Sequence, residues 1–395
     1  MAHGLPTVRR PDAHGKQPGR LGGHTSIYAR RRARYTGNAS GVRASAAEVT
    51  FPRSRLAPIA AVLALGASIF ASTLATARGP MGARDADYQT AIAQAHTRYV
   101  EDHSGKVTQS IPALASVSPD LYGIVLVRVD GKVFAAGDTE TRLVLTANAA
   151  PFAAALVAEQ RGPDFMNSTA GAVAGTAPVP PGRTPADWGA APTTALRMEG
   201  AMATLSLVKP QGDADGKWRA LLANLGKFSG GELALDEKVY QSATASAEAV
   251  NRKARELSQE GRLVDTPEST ADLYLRQASV ALTTRELAIM AATLANDGVN
   301  PVNLKRVVGE PVAKNIQTLL INAGLPGGKK AAWLKKAGVG VSTGESGAMI
   351  MVVPGRLGIA VYSPPLDTAG NSVRAQRALR YLVQTLFIGP DPTAP

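Results

Sequence analysis

Residues 346–375 read SGAMIMVVPGRLGIAVYSPPLDTAGNSVRA, and the first half of this stretch decides the fold. Residues 348–353 form an apolar strand, Pro354-Gly355-Arg356 a turn, and residues 357–363 the return strand. An amphipathic helix follows over 374–387. The other end of the chain mirrors this arrangement. Residues 121–129 (LYGIVLVRV) read as a strand, Asp130-Gly131 is a hairpin turn signal, and 133–136 is the return strand. Before them, Tyr88, Ile92, Ala95 and Tyr99 keep helical spacing through 85–101. The middle, 147–320, is mostly helical, with helices expected over 152–160, 198–208, 218–225, 247–257, 271–280 and 284–295. Asn296-Asp297-Gly298 caps the last of these, and a Pro/Gly-rich loop over 175–192 interrupts the series. The predicted class is α/β (α+β). The two hairpins join into one antiparallel sheet with both terminal helices on one face, and the helical insert makes a second lobe. The cleft between the lobes is the expected place for a site.

The chain has 395 residues, a net charge of +12 and 45% hydrophobic residues, enough for a sizeable core. It has no cysteine, which excludes disulfides, thiol nucleophiles and Cys-ligated metals. It has five histidines, and three of them (His3, His14, His24) precede residue 25, so little remains for a multi-His metal site or a Ser-His-Asp triad. Residues 1–55 hold eleven Arg and Lys against Asp12 and Glu48, and thus carry nine of the twelve net charges. The basicity sits in a tail rather than on a folded face, which argues against nucleic acid. Residues 56–77 (LAPIAAVLALGASIFASTLATA) are uncharged, follow Arg53 and Arg55, and end in a small-x-small site. They read as the apolar core of a secretory signal cleaved after Ala77 or, uncleaved, as a transmembrane anchor. Three segments result: a basic tail or extended n-region (1–55), the apolar segment (56–77), and a domain (78–395) expected in the periplasm or held outside the inner membrane.

The folded part offers little obvious chemistry. Ser206-Leu207-Val208-Lys209 has the spacing of a serine nucleophile with a lysine base one helical turn on, but it stands at a helix end before Pro210. Lys336-Ala337-Gly338 is a loose Lys-Thr-Gly match that reads equally as a surface turn. The glycine-rich stretch 338–344 lacks dinucleotide or P-loop spacing and reads as a loop-to-strand junction. Asp236-Glu237 and residues 265–268 read as helix N-terminal charges, and His96 and His103 as members of a solvated face.

The residues from Ser346 onward closely resemble the serine-dependent glutaminase family, of β-lactamase-like fold. Blocks over 105–138, 199–208, 272–280 (DLYLRQASV) and 287–301 (LAIMAATLANDGVNP) are similar in the same order, so the resemblance spans nearly all of 85–390. It implies hydrolysis of L-glutamine to glutamate and ammonia through an acyl-enzyme. A Ser-Ile-Ser-Lys motif would supply nucleophile and base, and backbone N–H groups would hold the oxyanion, with no cofactor and no metal. It also implies self-association into a homo-oligomer.

The motif is broken in this chain. Phe152 fixes the register of Thr146-Ala147-Asn148-Ala149-Ala150-Pro151-Phe152, which puts Ala147 at the nucleophile position and Ala150 at the base position. Other substrate-binding positions implied by the resemblance have changed too. Ser110 stands for a tyrosine, Met198 for an asparagine and Ala243 for a glutamate. The next asparagine falls at Val250 or, with a one-residue slip, at Asn251. Pro326 stands for a tyrosine, Ser342-Thr343-Gly344 for Lys-Ser-Gly, and Glu345 for an apolar residue. Tyr274 matches. The expectation is therefore an exported protein that keeps the glutaminase fold, has lost the chemistry, and binds or scaffolds. The alternative is an amidohydrolase with relocated residues, Ser206 with Lys209 or Ser342 with Thr343.

Overall fold

In a computed structural model of the chain, residues 84–162, 196–326, 332–386 and 388 are described. The tail, the 56–77 segment and the 175–192 loop lie outside them. In chain order the elements are α1 (Asp85–Tyr99), α2 (Pro112–Ala115), β1 (Gly123–Arg128), β2 (Val133–Gly137), β3 (Arg142–Val144) and α3 (Ala150–Arg161). Then come α4 (Met198–Ser206), α5 (Ala214–Ser229), β4 (Ala234–Leu235), α6 (Glu237–Ala245), α7 (Glu248–Gln259) and α8 (Pro267–Ala278). The last are β5 (Val280–Thr283), α9 (Thr284–Ala295), α10 (Glu310–Ala323), α11 (Ala332–Lys336), β6 (Gly340–Thr343), β7 (Ala348–Val353), β8 (Leu357–Tyr362) and α12 (Val373–Thr385).

Every residue of β7 and β8 is buried. Strands covered on both faces lose the polar alternation of a half-exposed sheet, which is why both read as unbroken apolar runs. They pair antiparallel with Ile350 opposite Ala360, and β8 pairs with β1 with Ala360 opposite Val125. The two hairpins therefore join in one five-stranded sheet of order β2-β1-β8-β7-β6. Ile124, Leu126, Met349, Met351 and Ile359 face the terminal helices, packing with Ile92 and Ala95 of α1 and with Leu379 and Leu382 of α12. On the opposite face, Val125, Val127, Ile350, Val352 and Ala360 pack with Leu287, Met290 and Ala291 of α9.

Helix α9 starts on a capping box, with Thr283 Oγ1 accepting from Glu286 N and the Glu286 carboxylate accepting from Thr283 N. It lies so close to the sheet that a Cβ on Gly358 would overlap the backbone of Ala291 and Ala292. Neither neighbour is a flexible side-chain end, so relief requires moving the helix. Gly358→Ala is expected to destabilise the fold by about 3 kcal/mol, the upper end of the usual cost of overpacking. The urea midpoint should fall with the slope unchanged.

Arg374, fully buried at the start of α12, ties that helix to the segment between α1 and β1. Its Nε donates to Ser363 Oγ at 2.7 Å, and its terminal nitrogens donate to the carbonyls of Val100, Pro119, Asp120 and Leu121. Burial pulls its pKa below the usual arginine value, with Tyr122, Asp120, Asp102 and Asp138 opposing. His96 departs from the solvated role expected of it. Its ring stacks on Tyr122 at 4.8 Å and Nε2 lies 3.2 Å from the Tyr122 carbonyl.

The helical lobe contains elements that the periodicity does not delimit. A second sheet of order β3-β5-β4 sits within it. Its members are two to four residues long, too short for an alternation pattern, and Val280, expected to close a helix, opens β5 instead. Helix α6 begins at the Asp236 cap, as its acidic pair suggests, and α10 carries Pro311 in its first turn, where proline is tolerated. Asp265, expected as a helix-end charge, instead forms an ion pair with the buried Lys217.

Candidate functional site

The site is built on the step from β3 into α3. Leu145 N bonds to the Val280 carbonyl at 3.1 Å, extending the small sheet by one residue. The chain then turns through a 3-10 segment, Thr146–Ala149. Thr146 has φ +47°, a left-handed conformation uncommon for a β-branched residue, and its Oγ1 donates to the Leu145 carbonyl at 2.8 Å. Leu145, Thr146, Asn148, Ala149 and Ala150 are all buried, whereas Ala147 is exposed. A strand, a strained turn and a helix thus present the side chain of residue 147 to solvent, and that side chain is a methyl. Ala150, 3% exposed at the first position of α3, offers another.

The tip of hairpin β6–β7 closes on this turn. Gly344 N bonds to the Ala348 carbonyl and Gly347 N to the Gly344 carbonyl, which makes Glu345 and Ser346 the tip residues. A Cβ on Gly344 would overlap Thr146 Oγ1 and approach the Asn148 amide nitrogen, so only glycine lets the two segments meet. Asn148 Nδ2 donates to the Ala348 carbonyl at 2.9 Å, fixing the turn to the sheet. Across the opening, Ser110 Oγ donates to the Glu345 carboxylate.

Helix α8 supplies the wall opposite. Burial, with the Glu345 and Glu199 carboxylates adding to it, pushes the Tyr274 hydroxyl up to about 12, so it stays protonated at neutral pH. Met198, at the start of α4, packs, like Tyr274 and Val250, against the buried cluster of Met202, Ala254, Leu257 and Ala271. Ala243 is buried against Ala247 and Leu275, with Ile111 and Val250 beside them. Asn251 is exposed and lines a separate cavity with Thr244, Arg255 and Asp272, whereas Val250 packs against the same buried cluster as Tyr274. Pro326 is exposed, and its carbonyl accepts from Asn371 Nδ2 at 3.0 Å. Ser110 therefore meets Glu345 directly, Tyr274 lies within electrostatic reach of Glu345, and Ala147 sits in the turn on which the Glu345 hairpin tip closes. Met198 and Val250 form an apolar flank with Tyr274, and Asn251 stands outside it. Asn148 lies inside the broken motif and Glu199 inside a matching block, but no motif gives either a role, and the packing alone brings them to the site.

The relocated pairs do not assemble. Ser206 is fully buried, its Oγ donating to the Ala203 carbonyl at 2.7 Å and accepting from Val264 N at 3.2 Å. Lys209 Nζ turns away to the Gln160 carbonyl at 3.3 Å. Ser342 lies opposite Ile350, and Thr343 opposite Met349, on the other face of the strand. Lys336 is exposed at the end of α11 rather than in a strand, so the surface-turn reading holds there. Residues 340–343, expected as a junction, are strand β6 itself.

An antiparallel sheet with terminal helices on one face, a helical lobe on the other, and a strand–turn–helix where the two meet is the β-lactamase-like architecture. The family model "Glutaminase" matches residues 105–388. A glutaminase of Mycobacterium ulcerans is 35% identical over 318 residues, 78% of this chain and 96% of the relative. Glutaminase 2 of Yersinia pestis is 35% identical over 304 residues, 75% of this chain and 86% of the relative. The structure of YbaS, described as a probable glutaminase, superposes with a TM-score of 0.70 at 31% identity, covering 78% of this chain and 99% of that one. The chain belongs to the glutaminase family.

Proposed function

We propose that this protein keeps the glutaminase fold without glutaminase activity and acts outside the cytoplasm as a binding or scaffold protein. One observation carries the reading. At the tight turn, the methyl groups of Ala147 and Ala150 occupy the positions from which, by the family resemblance, a serine attacks and a lysine takes its proton. A methyl group can do neither. The apolar flank of Met198 and Val250 supports the same conclusion, because it offers nothing polar to a substrate amide. Seated there, free L-glutamine would leave its carboxylate, ammonium and carboxamide short of partners, each at about 1–3 kcal/mol and more for the charges. Titration calorimetry of the purified protein with L-glutamine is expected to show no saturable heat at millimolar concentration. Micromolar binding would overturn the reading of the pocket.

Export is part of the proposal and rests on the Arg-flanked apolar run over 56–77, read as a cleaved signal or an anchor. A reporter enzyme that works only in the periplasm, fused after Pro395, is expected to be active, and a fusion active only in the cytoplasm would refute the topology. Self-association, which the resemblance implies, completes the proposed picture.

A further inference from the structure

Resting on the reading of this site as a binding rather than a catalytic one, we infer that the opening beside Ala147 takes a small organic cation with N–H donors, an alkylammonium or alkylguanidinium that carries no carboxylate. Glu345 supplies the charge. It is exposed at the hairpin tip, its carboxylate is held by Ser110 Oγ, and among the described residues no Lys, Arg or His lies within ion-pair distance of it. A serine hydroxyl orients a carboxylate without neutralising it.

Two buried polar atoms of the turn and the hairpin tip are unpaired. Asn148, fully buried next to Ala147, uses its Nδ2 on the Ala348 carbonyl and has no donor for Oδ1. Ser346, 6% exposed and next to Glu345, has no partner for Oγ. Buried polar atoms in folded proteins are nearly always paired, so an unpaired amide oxygen and hydroxyl near a carboxylate that no cation neutralises call for a ligand with N–H donors. Glu199 is a second carboxylate in electrostatic reach of Tyr274. It shares Lys253 at 3.9 Å, and Glu256 holds that lysine closer, at 2.6 Å.

The contrast with the family sharpens the charge argument. The positions that the resemblance assigns to the base lysine and the strand lysine are Ala150 and Ser342. Two cations and, at Ala243, one carboxylate are therefore missing, and one carboxylate, Glu345, has been added, so the site is more negative on balance. A site so altered repels the carboxylate end of an amino acid and attracts an isolated cation.

The test is titration calorimetry of the full-length protein with n-butylammonium chloride and n-propylguanidinium chloride. Sodium butyrate, L-glutamine and tetramethylammonium chloride serve as comparisons. Saturable binding of at least one N–H cation is expected, with no binding of butyrate and at least tenfold weaker binding of tetramethylammonium, which has charge but no donor. Glu345→Gln, at an exposed turn, should keep the thermal midpoint and weaken cation binding at least tenfold. Ser110→Ala should weaken it severalfold, and Glu310→Gln, a surface acid on α10, should leave it unchanged. No saturable cation binding, or binding indifferent to Glu345→Gln, overturns the inference. Ammonia release from glutamine, assayed on the same preparation, separates the two claims. Hydrolysis defeats the non-catalytic reading, whereas absence of both hydrolysis and cation binding defeats the inference alone.

Discussion

Purified protein incubated with L-glutamine is expected to release no ammonia above the free-solution rate, a deficit of about a millionfold against an active relative. The magnitude comes from how nucleophile and base act: removing either member of such a unit costs on the order of 10⁶ in kcat, and removing both costs little more. Here both positions are methyl groups. Restoring them through Ala147→Ser with Ala150→Lys is expected to leave the protein at least about a hundredfold below an ordinary family member. Position 150 is buried at the first residue of α3. Burial and the positive end of the helix both push a lysine there toward its neutral form, which suits a base. Proton transfer is therefore the recoverable part. What stays missing is the grip on the substrate, because by the resemblance Met198 and Val250 stand for asparagines and Ala243 for the carboxylate that would meet the substrate ammonium. Positioning contributes roughly 7–11 kcal/mol to such reactions. Glu345, at the tip that closes on the turn, would also oppose the negative charge that develops on the oxyanion. A double variant within a hundredfold of an active relative would show that the remaining substitutions do not matter. Turnover by the unaltered protein that Ser206→Ala abolishes would show that the chemistry had moved.

Much of this architecture was legible because the decisive strands are continuous. Buried strands such as β7 and β8 announce themselves by composition, and the hairpin turns by Pro354-Gly355 and Asp130-Gly131. The small sheet was not legible. Two residues of β4 carry no periodicity, and their pairing with β5 is decided by long-range packing. The site was legible as a set of positions through the resemblance, but not as a set of contacts. That Ser110 reaches Glu345 across 235 residues, or that Asn148 holds the turn to Ala348, depends on how the hairpin tip lands on the turn. The ambiguity between Val250 and Asn251 is of the same kind. Along α7, adjacent residues point about 100° apart, and only the packing shows that Val250 turns inward and Asn251 outward. His96 and Asp265 mislead from sequence because a charged or titratable residue near a helix end is usually solvated. Each here has a partner distant in the chain.

Lys217→Met is expected to be the most destabilising conservative change in the helical lobe, by about 3–5 kcal/mol. Lys217 on α5 is 1% exposed. Its three ammonium protons have three acceptors, namely the Asp265 carboxylate, the Ser206 carbonyl at 2.8 Å and Gln211 Oε1 at 3.3 Å. The pair joins α5 to the end of α4 and to the residue just before the α8 cap, so it sets where α8, and with it Tyr274, begins. Methionine fits the methylene path but abandons a carboxylate that is only 10% exposed, and an unpaired buried charge is the costly outcome. Asp265→Leu alone should cost a similar amount, by stranding the ammonium. The double variant, Lys217→Met with Asp265→Leu, is expected to cost less than either single change, because an apolar pair strands no charge. Urea unfolding of the four proteins gives the coupling energy directly. A single-variant loss under 1 kcal/mol, or strictly additive losses, would mean that water reaches the pair and that α8 is positioned by its apolar contacts alone.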